Sequence, residues 1–387
     1  MAEKTWVVTD TAHNIHGDDL SIDSRVLPVH GGDYALRNRI LRGGRQDGVQ
    51  VIEINNGAIT LVVVPTRGMG IWRADCQDIR LGWDSPVRGP VHPQWVPLGE
   101  PSGLGWLDGF DEFVVRCGLE SNGAPDFNGH GALVYPLHGR IANRPAHYVS
   151  LHVDPEQGEI IVRGVVEESR FHFAKWRMTS SLRMKVGQPS FSLSDTVENF
   201  SASESSMQML YHINFGAPLA EPGSKLVAPA KQVVPRNDHA ARDVAAWDQY
   251  GPTEVGGAER VYFLENHAQS DGRTRTVLVN AKGDRGASVL YNVKQLPCFS
   301  LWKNTVGTAD GYVTGLEPGT NYPNPRTFEH AHGRCPKVAG GASISFDLTI
   351  EAHRSAEEVR RATDDAQRLQ ASPVSVSSAP SAEWCAG

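Results

Sequence analysis

Short runs of β-forming residues, separated by turn residues, follow one another along most of this chain and constrain its fold more than any other feature. The runs 49–54 and 58–64 flank Asn55-Asn56-Gly57, which is typical of a β-hairpin. Beyond residue 146 such runs recur about every 10–15 residues with little helical pattern between them. Residues 342–352 alternate apolar and polar side chains. The pattern predicts an all-β protein, a large antiparallel β-sandwich.

The chain shows neither an internal repeat nor a clear boundary, so its 387 residues predict one domain over residues 1–371. Residues 1–41 are an N-terminal lead-in to this domain. Ser355 begins a capping-box pattern that predicts a short C-terminal helix at residues 355–369. Residues 372–387 are rich in Ser, Ala and Pro and are predicted to be disordered.

Charge and composition exclude several classes of partner. The formal net charge of -7 gives no basic surface of the kind that binds nucleic acid. No apolar run approaches the roughly 20 residues that a membrane span requires, and no signal-peptide pattern follows the start. The five cysteines are scattered and odd in number, which predicts reduced, buried thiols. These features predict a cytoplasmic protein with no nucleic-acid or membrane partner, and they leave a homo-oligomer open.

Several polar side chains stand at predicted strand ends, next to glycine or proline. Strand ends that are distant in sequence can converge on one cleft of a sandwich. A carboxylate facing an imidazole suits general acid–base catalysis, because histidine exchanges protons near neutral pH. Arginine and asparagine can orient a polyhydroxylated ligand. The side chains with this placement are Arg67, His138, Arg140, His212, Asn214 and Glu317.

Four motifs in a fixed order give the chain a family resemblance. They are Gly-Trp-Leu-Asp-Gly-Phe-Asp at 105–111, Pro-Leu-His-Gly-Arg-Ile at 136–141, Tyr-His-Ile-Asn-Phe-Gly at 211–216 and Gly-Leu-Glu-Pro-Gly-Thr-Asn at 315–321. Together they resemble the aldose 1-epimerase (galactose mutarotase-like) superfamily, in particular a less-studied bacterial branch of it. The resemblance spans residues 35–355 and implies the β-sandwich of that superfamily, called a supersandwich.

The resemblance also implies an activity and its residues. Glu317 would take the proton of a sugar's anomeric hydroxyl while protonated His212 gives one to the ring oxygen, so that the ring opens and closes on the other face. The partner would be a small-molecule sugar, and the reaction requires no cofactor. The side chains expected to position the substrate are Arg67, His138, Arg140, Asn214 and Lys303. The superfamily's sugar-binding aspartate has no evident counterpart in this sequence.

Two alternatives remain open from the sequence. His138, His212 and Glu317 form a plausible two-histidine, one-carboxylate set for iron, manganese or zinc. A metal-dependent epimerase, isomerase or lyase acting on a keto- or acidic sugar would use them as ligands. The second alternative is a non-catalytic carbohydrate-binding protein, because β-sandwich folds host binding and catalysis alike. The sequence does not select the sugar or the anomer.

Overall fold

The computed structural model describes residues 3–16 and 19–386, and within them nearly all regular structure is β-strand. In chain order the strands are β1 (Lys4–Asp10), β2 (Leu20–Asp23), β3 (Ala35–Ile40), β4 (Gln50–Asn55), β5 (Thr60–Val64), β6 (Gly70–Cys76), β7 (Ile79–Leu81), β8 (Val114–Leu119), β9 (Asp126–Phe127), β10 (Leu133–Tyr135), β11 (Tyr148–Asp154), β12 (Glu159–Ser169), β13 (Lys175–Lys185), β14 (Ser190–Asn199), β15 (Ser205–Ser206), β16 (Gln208–Phe215), β17 (Lys225–Val227), β18 (Ala230–Pro235), β19 (Arg260–Asn266), β20 (Arg273–Val279), β21 (Gly286–Asn292), β22 (Cys298–Asn304), β23 (Val313–Gly319), β24 (Lys337–Val338), β25 (Ser343–His353) and β26 (Ser375–Val376).

Helices are short and lie in the connections. The α-helices of the described residues are α1 (Asp238–Ala241), α2 (Arg326–Ala331) and α3 (Ala356–Arg368). Single turns of 3-10 helix occur at Gly44–Gln46, Pro65–Arg67, Pro93–Trp95, Gly105–Gly109, Ile141–Asn143, Val244–Ala246 and Thr308–Asp310. No helix of the described ranges is long and apolar enough to cross a membrane.

Two large sheets pack face to face. Across the described residues, the smaller sheet has nine strands in the order β1-β11-β12-β13-β14-β25-β21-β20-β17. The larger has thirteen, in the order β2-β3-β4-β5-β6-β8-β16-β23-β22-β19-β18-β26, with β7 paired to β6. Apart from the parallel pair β18–β26, neighbouring strands within both sheets are antiparallel. This architecture confirms the predicted all-β sandwich.

Strand β16 shows how the larger sheet divides its two faces. Successive side chains of a strand point to opposite faces. Tyr211, Ile213 and Phe215 belong to the main core between the sheets, whereas Leu210 packs in a separate cluster on the other face. His212 therefore points away from the sandwich core, although the whole strand is buried. The outer face of the larger sheet is thus a second buried surface, covered by loops.

A buried ion pair joins the two sheets through the core. Arg116 of β8 donates from Nε to Asp195 Oδ2 of β14 at 2.5 Å, and both side chains are fully buried. Tyr211 donates its hydroxyl to the same carboxylate at 2.7 Å, and Arg116 also donates to Ser180 Oγ at 2.8 Å. Because all these groups are hydrogen-bonded, the charges are tolerated in an apolar core. This group of residues is a cross-sheet clamp.

The chain ends depart from part of the sequence prediction. The helix predicted at 355–369 is confirmed as α3, whose cap Ser355 accepts the Glu358 N–H at 3.2 Å. The lead-in 1–41 is part of the sandwich itself, because it supplies the edge strand β1 as well as β2 and β3. Residues 1, 2, 17 and 18 of that lead-in lie outside the described residues.

The prediction of disorder is wrong for residues 372–386, and residue 387 lies outside the described residues. Trp384 and Cys385 are buried, and the Trp384 ring stacks on Tyr322 with centroids 4.8 Å apart. Asn324 Nδ2 donates to the Trp384 carbonyl at 2.8 Å. Trp384 and Cys385 anchor the tail together with the pairing of β26 with β18, and average composition does not register these contacts. The five cysteines are free and buried, as predicted.

Candidate active site

A cleft of about 260 Å³ opens on the outer face of the larger sheet. Its floor comes from neighbouring strands, including β16, β22 and β23, and its walls from the loops around residues 104–110 and 124–138. The side chains that define its chemistry are Trp106, Phe110, His138, His212, Trp302 and Glu317. A mostly apolar concave site with a few convergent polar groups is the usual form of a small-molecule site.

Strand register brings His212 and Glu317 together. Antiparallel pairing of Ile213 with Leu316 and of Leu210 with Gly319 places His212 directly across from Glu317 on the same face. The distance from His212 Nε2 to Glu317 Oε1 is 3.1 Å, and both side chains are buried. The contact lacks hydrogen-bond geometry, which leaves Glu317 Oε1 without a hydrogen-bond partner in the described part of the chain. Two residues 105 positions apart thus form one polar pair.

Gly315 makes room for this pair. It precedes Glu317 by two residues on β23 and therefore lies on the same face. A Cβ at position 315 would overlap Glu317 Oε1 and would lie 3.0 Å from His212 Cε1. Only a residue without a side chain at position 315 allows the Glu317 carboxyl group to contact the imidazole of His212.

Asn214 sets the orientation of the His212 ring. His212 Nδ1 lies 2.5 Å from Asn214 Oδ1, and Asn214 Nδ2 donates to the Glu112 carbonyl at 3.0 Å. Because the amide nitrogen donates to a carbonyl, Oδ1 must accept, so Nδ1 carries a proton. Nε2 is then the nitrogen that faces Glu317 and the cleft. Asn214 acts through His212 and does not line the cleft.

Burial makes both members of the pair prefer their neutral forms. It lowers the pKa of His212 well below its ordinary value of 6.5, and neighbouring His138 lowers it further. Burial likewise raises the pKa of Glu317 well above 4.5, with Glu259 adding to the effect. The one-proton state of the pair in which both groups are neutral has the proton on the Glu317 carboxyl group and leaves His212 Nε2 unprotonated. A single proton transfer converts this neutral pair into a carboxylate and an imidazolium.

His138 lies in a tight turn above the pair. Its backbone has a φ of 56°, and Nδ1 lies 2.9 Å from the Asn122 carbonyl, to which it must donate. Burial lowers the pKa of His138 to about 4, so the ring is neutral and Nε2 is an acceptor. Gly139 follows with a φ of 73°, and a Cβ there would overlap the Ser121 carbonyl. The turn thus holds one hydrogen-bond acceptor against the cleft.

Aromatic rings enclose the two histidines. Ring centroids lie 4.6 Å apart for Trp106 and His138, 5.2 Å for Phe110 and His212, and 5.3 Å for Trp302 and His212. Such rings exclude water and offer flat faces to the C–H groups of a ligand. They also explain why the pair is desolvated.

Two charged residues of the cleft were not predicted from the sequence. Arg236 follows β18 and Glu259 precedes β19, and both line the cleft. Arg236 Nη1 lies 3.4 Å from Glu259 Oε1, and Glu259 Oε2 accepts the Trp302 indole N–H at 2.6 Å. Both belong to stretches without a clear strand pattern, so the sequence did not place them at strand ends. The signal was present, since Pro235-Arg236 is a charged residue beside a proline at a strand end.

The assignment of Arg67 to substrate binding is corrected by the structure. Its side chain is 1% exposed and pairs with Glu112. The remaining donors reach the Val91 and Gly109 carbonyls and Asn143 Oδ1. Arg67 therefore supports the loop that carries Phe110 and presents no group to the cleft.

Arg140 and Lys303 also lie outside the cleft. Arg140 pairs with Glu120 at 3.2 Å. Lys303 follows Trp302 on β22, so strand alternation turns it to the other face, where Nζ donates to the carbonyls of residues 246, 247 and 249. Burial lowers the pKa of Lys303 to about 8. Of the predicted positioning residues, only His138 lines the cleft.

The alternative metal set lacks geometric support. No group of three or more His, Cys, Asp or Glu among residues 3–16 and 19–386 is arranged to hold a metal ion. His138, His212 and Glu317 do share the cleft, and both histidines use Nδ1 on protein oxygens, which leaves each Nε2 without such a bond. The metal-dependent reading stays a prediction.

Comparisons with known proteins agree on the fold. Residues 46–352 match the family described as a domain of unknown function, DUF4432. A proposed aldose 1-epimerase from Klebsiella pneumoniae subsp. pneumoniae has a crystal structure with a TM-score of 0.95 and 36% identity, covering 98% of this chain and 99% of that one. No curated protein matches the sequence.

More distant solved structures share the architecture alone. A galactose mutarotase-like protein from Clostridium acetobutylicum has a TM-score of 0.56 at 12% identity, covering 82% of this chain and 98% of that one. The galactose 1-epimerase of Lactobacillus acidophilus has a TM-score of 0.53 at 10% identity, covering 83% and 99%.

Proposed function

The chain belongs to the DUF4432 family and to the aldose 1-epimerase (galactose mutarotase-like) superfamily, and from this premise we propose that it interconverts sugar anomers by general acid–base catalysis. The observation that carries the proposal is the buried His212–Glu317 pair, set in a small aromatic cleft. The 36% identical relative, itself described only as a proposed aldose 1-epimerase, supports the assignment.

The pair can perform both proton transfers of the reaction. As carboxylate, Glu317 accepts the proton of the anomeric hydroxyl, and as imidazolium, His212 donates a proton to the ring oxygen. The bond between the anomeric carbon and the ring oxygen breaks, and the anomeric oxygen becomes a carbonyl. Rotation about the adjacent carbon–carbon bond exposes the other carbonyl face. The same two transfers in reverse then close the ring and restore both residues.

The spacing of the pair favours this reaction over glycoside hydrolysis. The anomeric hydroxyl and the ring oxygen are bonded to one carbon, so their acid and base must also be close neighbours. His212 Nε2 and Glu317 Oε1 lie 3.1 Å apart. Glycosidase carboxyl groups, which flank a scissile bond, stand roughly 5–9.5 Å apart. The observed distance leaves no room for a water or a leaving group between the two side chains.

The rest of the cleft supplies positioning. His138 Nε2 accepts a hydrogen bond from a sugar hydroxyl, and Trp106 and Phe110 pack on the C–H faces. Glu259 and Arg236 offer an acceptor and a donor at the mouth, where they are 48% and 35% exposed. Because each offsets the other's charge, the mouth suits neutral hydroxyl groups. This composition favours an uncharged monosaccharide.

The direct test is anomer exchange by NMR over a panel of aldoses, keto-sugars and acidic sugars. Exchange faster than the buffer rate for at least one sugar supports the proposal. Saturable binding of a sugar with exchange at the buffer rate would instead identify a non-catalytic carbohydrate-binding protein.

Substitution of Gly315 by alanine is expected to lower the exchange rate about 100-fold, because the new Cβ displaces the Glu317 carboxyl group from His212. Stability should change little, since the displaced atoms are the ends of side chains. Gly99→Ala is the matched control, because its Cβ would meet no atom within 4 Å. Equal rates for the two variants would contradict the positioning role of Gly315.

The pH profile of kcat/KM is expected to be flat through neutrality. Below the pKa of His212 the pair holds two protons, and Glu317 cannot accept another. Above the pKa of Glu317 the pair holds none, and His212 cannot donate. Burial moves the pKa of His212 well below 6.5 and the pKa of Glu317 well above 4.5, and each shift widens the pH range over which the pair holds one proton. An acid-side midpoint above pH 6.5 in the NMR exchange assay would contradict this assignment.

A further inference from the structure

A second cleft, of about 300 Å³, lies on the other side of the segment that carries Phe110. Phe110 lines the aromatic cleft, whereas the next residue, Asp111, lines the second one. Three guanidinium groups line it as well, from Arg73, Arg80 and Arg88. We call it the arginine cleft. It has no part in the proposed epimerase reaction.

Asp111 is a buried carboxyl group that makes no hydrogen bond of good geometry among the described residues. It is 6% exposed, and neither oxygen has a partner with hydrogen-bond geometry in the described part of the chain. The indole of Trp72 lies close enough to oppose slightly the pKa shift that burial causes. Adjacent Glu112 is by contrast fully engaged with Arg67. A Cβ at Gly89 would overlap the Asp111 carboxyl group, so the glycine leaves space for it.

The surroundings of this carboxyl group favour its protonated form. Burial, followed by repulsion from Glu112, raises the pKa of Asp111 to about 8. Asp111 is then a neutral hydrogen-bond donor, as a carboxylic acid in an apolar site can be. The charged groups that face it are Glu112, Arg67 and Arg73.

The arginines leave the cleft positive. Arg80 pairs with Asp84 and donates to the Trp83 carbonyl at 2.8 Å. Arg73 stacks on Trp72, with its guanidinium carbon 3.9 Å from the ring centroid. Arg88 makes no hydrogen bond or ion pair within the described residues and is exposed. With Asp111 neutral, three cations face one anion, Asp84.

We propose that the arginine cleft binds a tetrahedral oxyanion, the phosphate group of a small metabolite. Guanidinium groups are the preferred partners of phosphate oxygens, and Arg88 and Arg73 have donors to spare. Asp111 donates its proton to one further oxygen from below. An oxygen of the ligand accepts the hydrogen bond that Asp111 can donate. The negative charge of the ligand balances the positive charge of the arginines.

The arginine cleft is connected to the aromatic cleft by hydrogen bonds and a ring contact. Ser85 of the arginine cleft donates to the Phe110 carbonyl at 2.7 Å, and Trp83 Nε1 donates to the Glu112 carbonyl at 3.1 Å. The rings of Trp83 and Phe110 lie 5.0 Å apart. An anion that contacts residues 83–89 would therefore bind to the segment that supports the wall formed by Phe110.

Calorimetric titration of the full chain with inorganic phosphate and with sulfate tests the proposal. We expect one saturable site for each anion and binding at least about tenfold weaker in Arg88→Ala, since a charge-assisted hydrogen bond is lost. The matched control is Arg183→Ala, whose guanidinium is a surface group paired with Glu159, and it should bind as wild type does. Absence of saturable binding, unchanged binding in Arg88→Ala, or acetate binding as tightly as sulfate would overturn the proposal.

A pH series with sulfate separates the role of Asp111 from a general charge effect, because the charge of sulfate is constant. Wild-type affinity should fall about tenfold between pH 7 and pH 9, as Asp111 loses its proton. Asp111→Asn keeps a donor and cannot ionise, so its affinity should stay level over that range. A parallel fall in both proteins would overturn the role of Asp111. These binding readouts do not depend on the epimerase proposal.

Discussion

Substitution of Glu317 by glutamine is expected to slow anomer exchange by about 10²–10⁴-fold, the usual contribution of a general base. Glutamine has nearly the same shape, but its amide cannot accept the proton of the anomeric hydroxyl. The side chain is neutral, as the buried glutamic acid of the resting pair is, so folding should be preserved. The measurement is NMR exchange on the sugar that the panel identifies, with circular dichroism as the check on folding.

Glu259→Gln is the matched control for this experiment. Glu259 lines the same cleft, but it lies at the mouth and pairs with Arg236 and Trp302. Its loss should raise KM more than it lowers kcat, because it binds hydroxyl groups away from the reacting atoms. A Glu317→Gln variant that keeps the wild-type kcat would contradict the assignment of Glu317 as the general base.

Substitution of Asp195 by asparagine is expected to lower the free energy of unfolding by about 3–5 kcal/mol. It leaves the Arg116 guanidinium fully buried without its counter-ion and weakens the acceptor of the Tyr211 hydroxyl. The cost is large because the charge cannot reach water from the core between the sheets. Urea-induced unfolding at equilibrium gives the free energy directly.

An exposed ion pair provides the comparison. Glu159 and Arg183 pair on the smaller sheet at 2.7 Å, with side chains 32% and 45% exposed. Glu159→Gln should cost less than about 1 kcal/mol, because water screens the pair and solvates the remaining arginine. If Asp195→Asn costs no more than Glu159→Gln, the cross-sheet clamp does not stabilise the fold.

The fold was largely predictable because strand pattern is a local property. Alternation and turn residues predicted the sandwich, and the capping box at Ser355 predicted α3. The order of the tail and strand β1 of the lead-in were not predicted, because both depend on distant partners. Strand β1 is held by β11, and Trp384 is held by Tyr322.

The site was predictable only where a motif pointed to it. His138, His212 and Glu317 meet in the cleft, as the motifs predicted. Lys303 does not, because its neighbour Trp302 occupies the face that β22 turns to the cleft. Knowledge of the register between β22 and β23 would have excluded Lys303.

The sequence by itself determined the strand content and the family, and it singled out His212 and Glu317 as the proposed acid and base, since these depend on local pattern and on motifs. Tertiary structure alone decided which polar residues share one space. It drew Arg67 into the interior with Glu112, placed Arg236 and Glu259 at the mouth of the cleft, and left the Asp111 carboxyl group with no hydrogen bond of good geometry in the part of the chain that the structure describes. The physical reason is that a side chain's surroundings depend on strand register and loop packing, which join residues far apart in the chain.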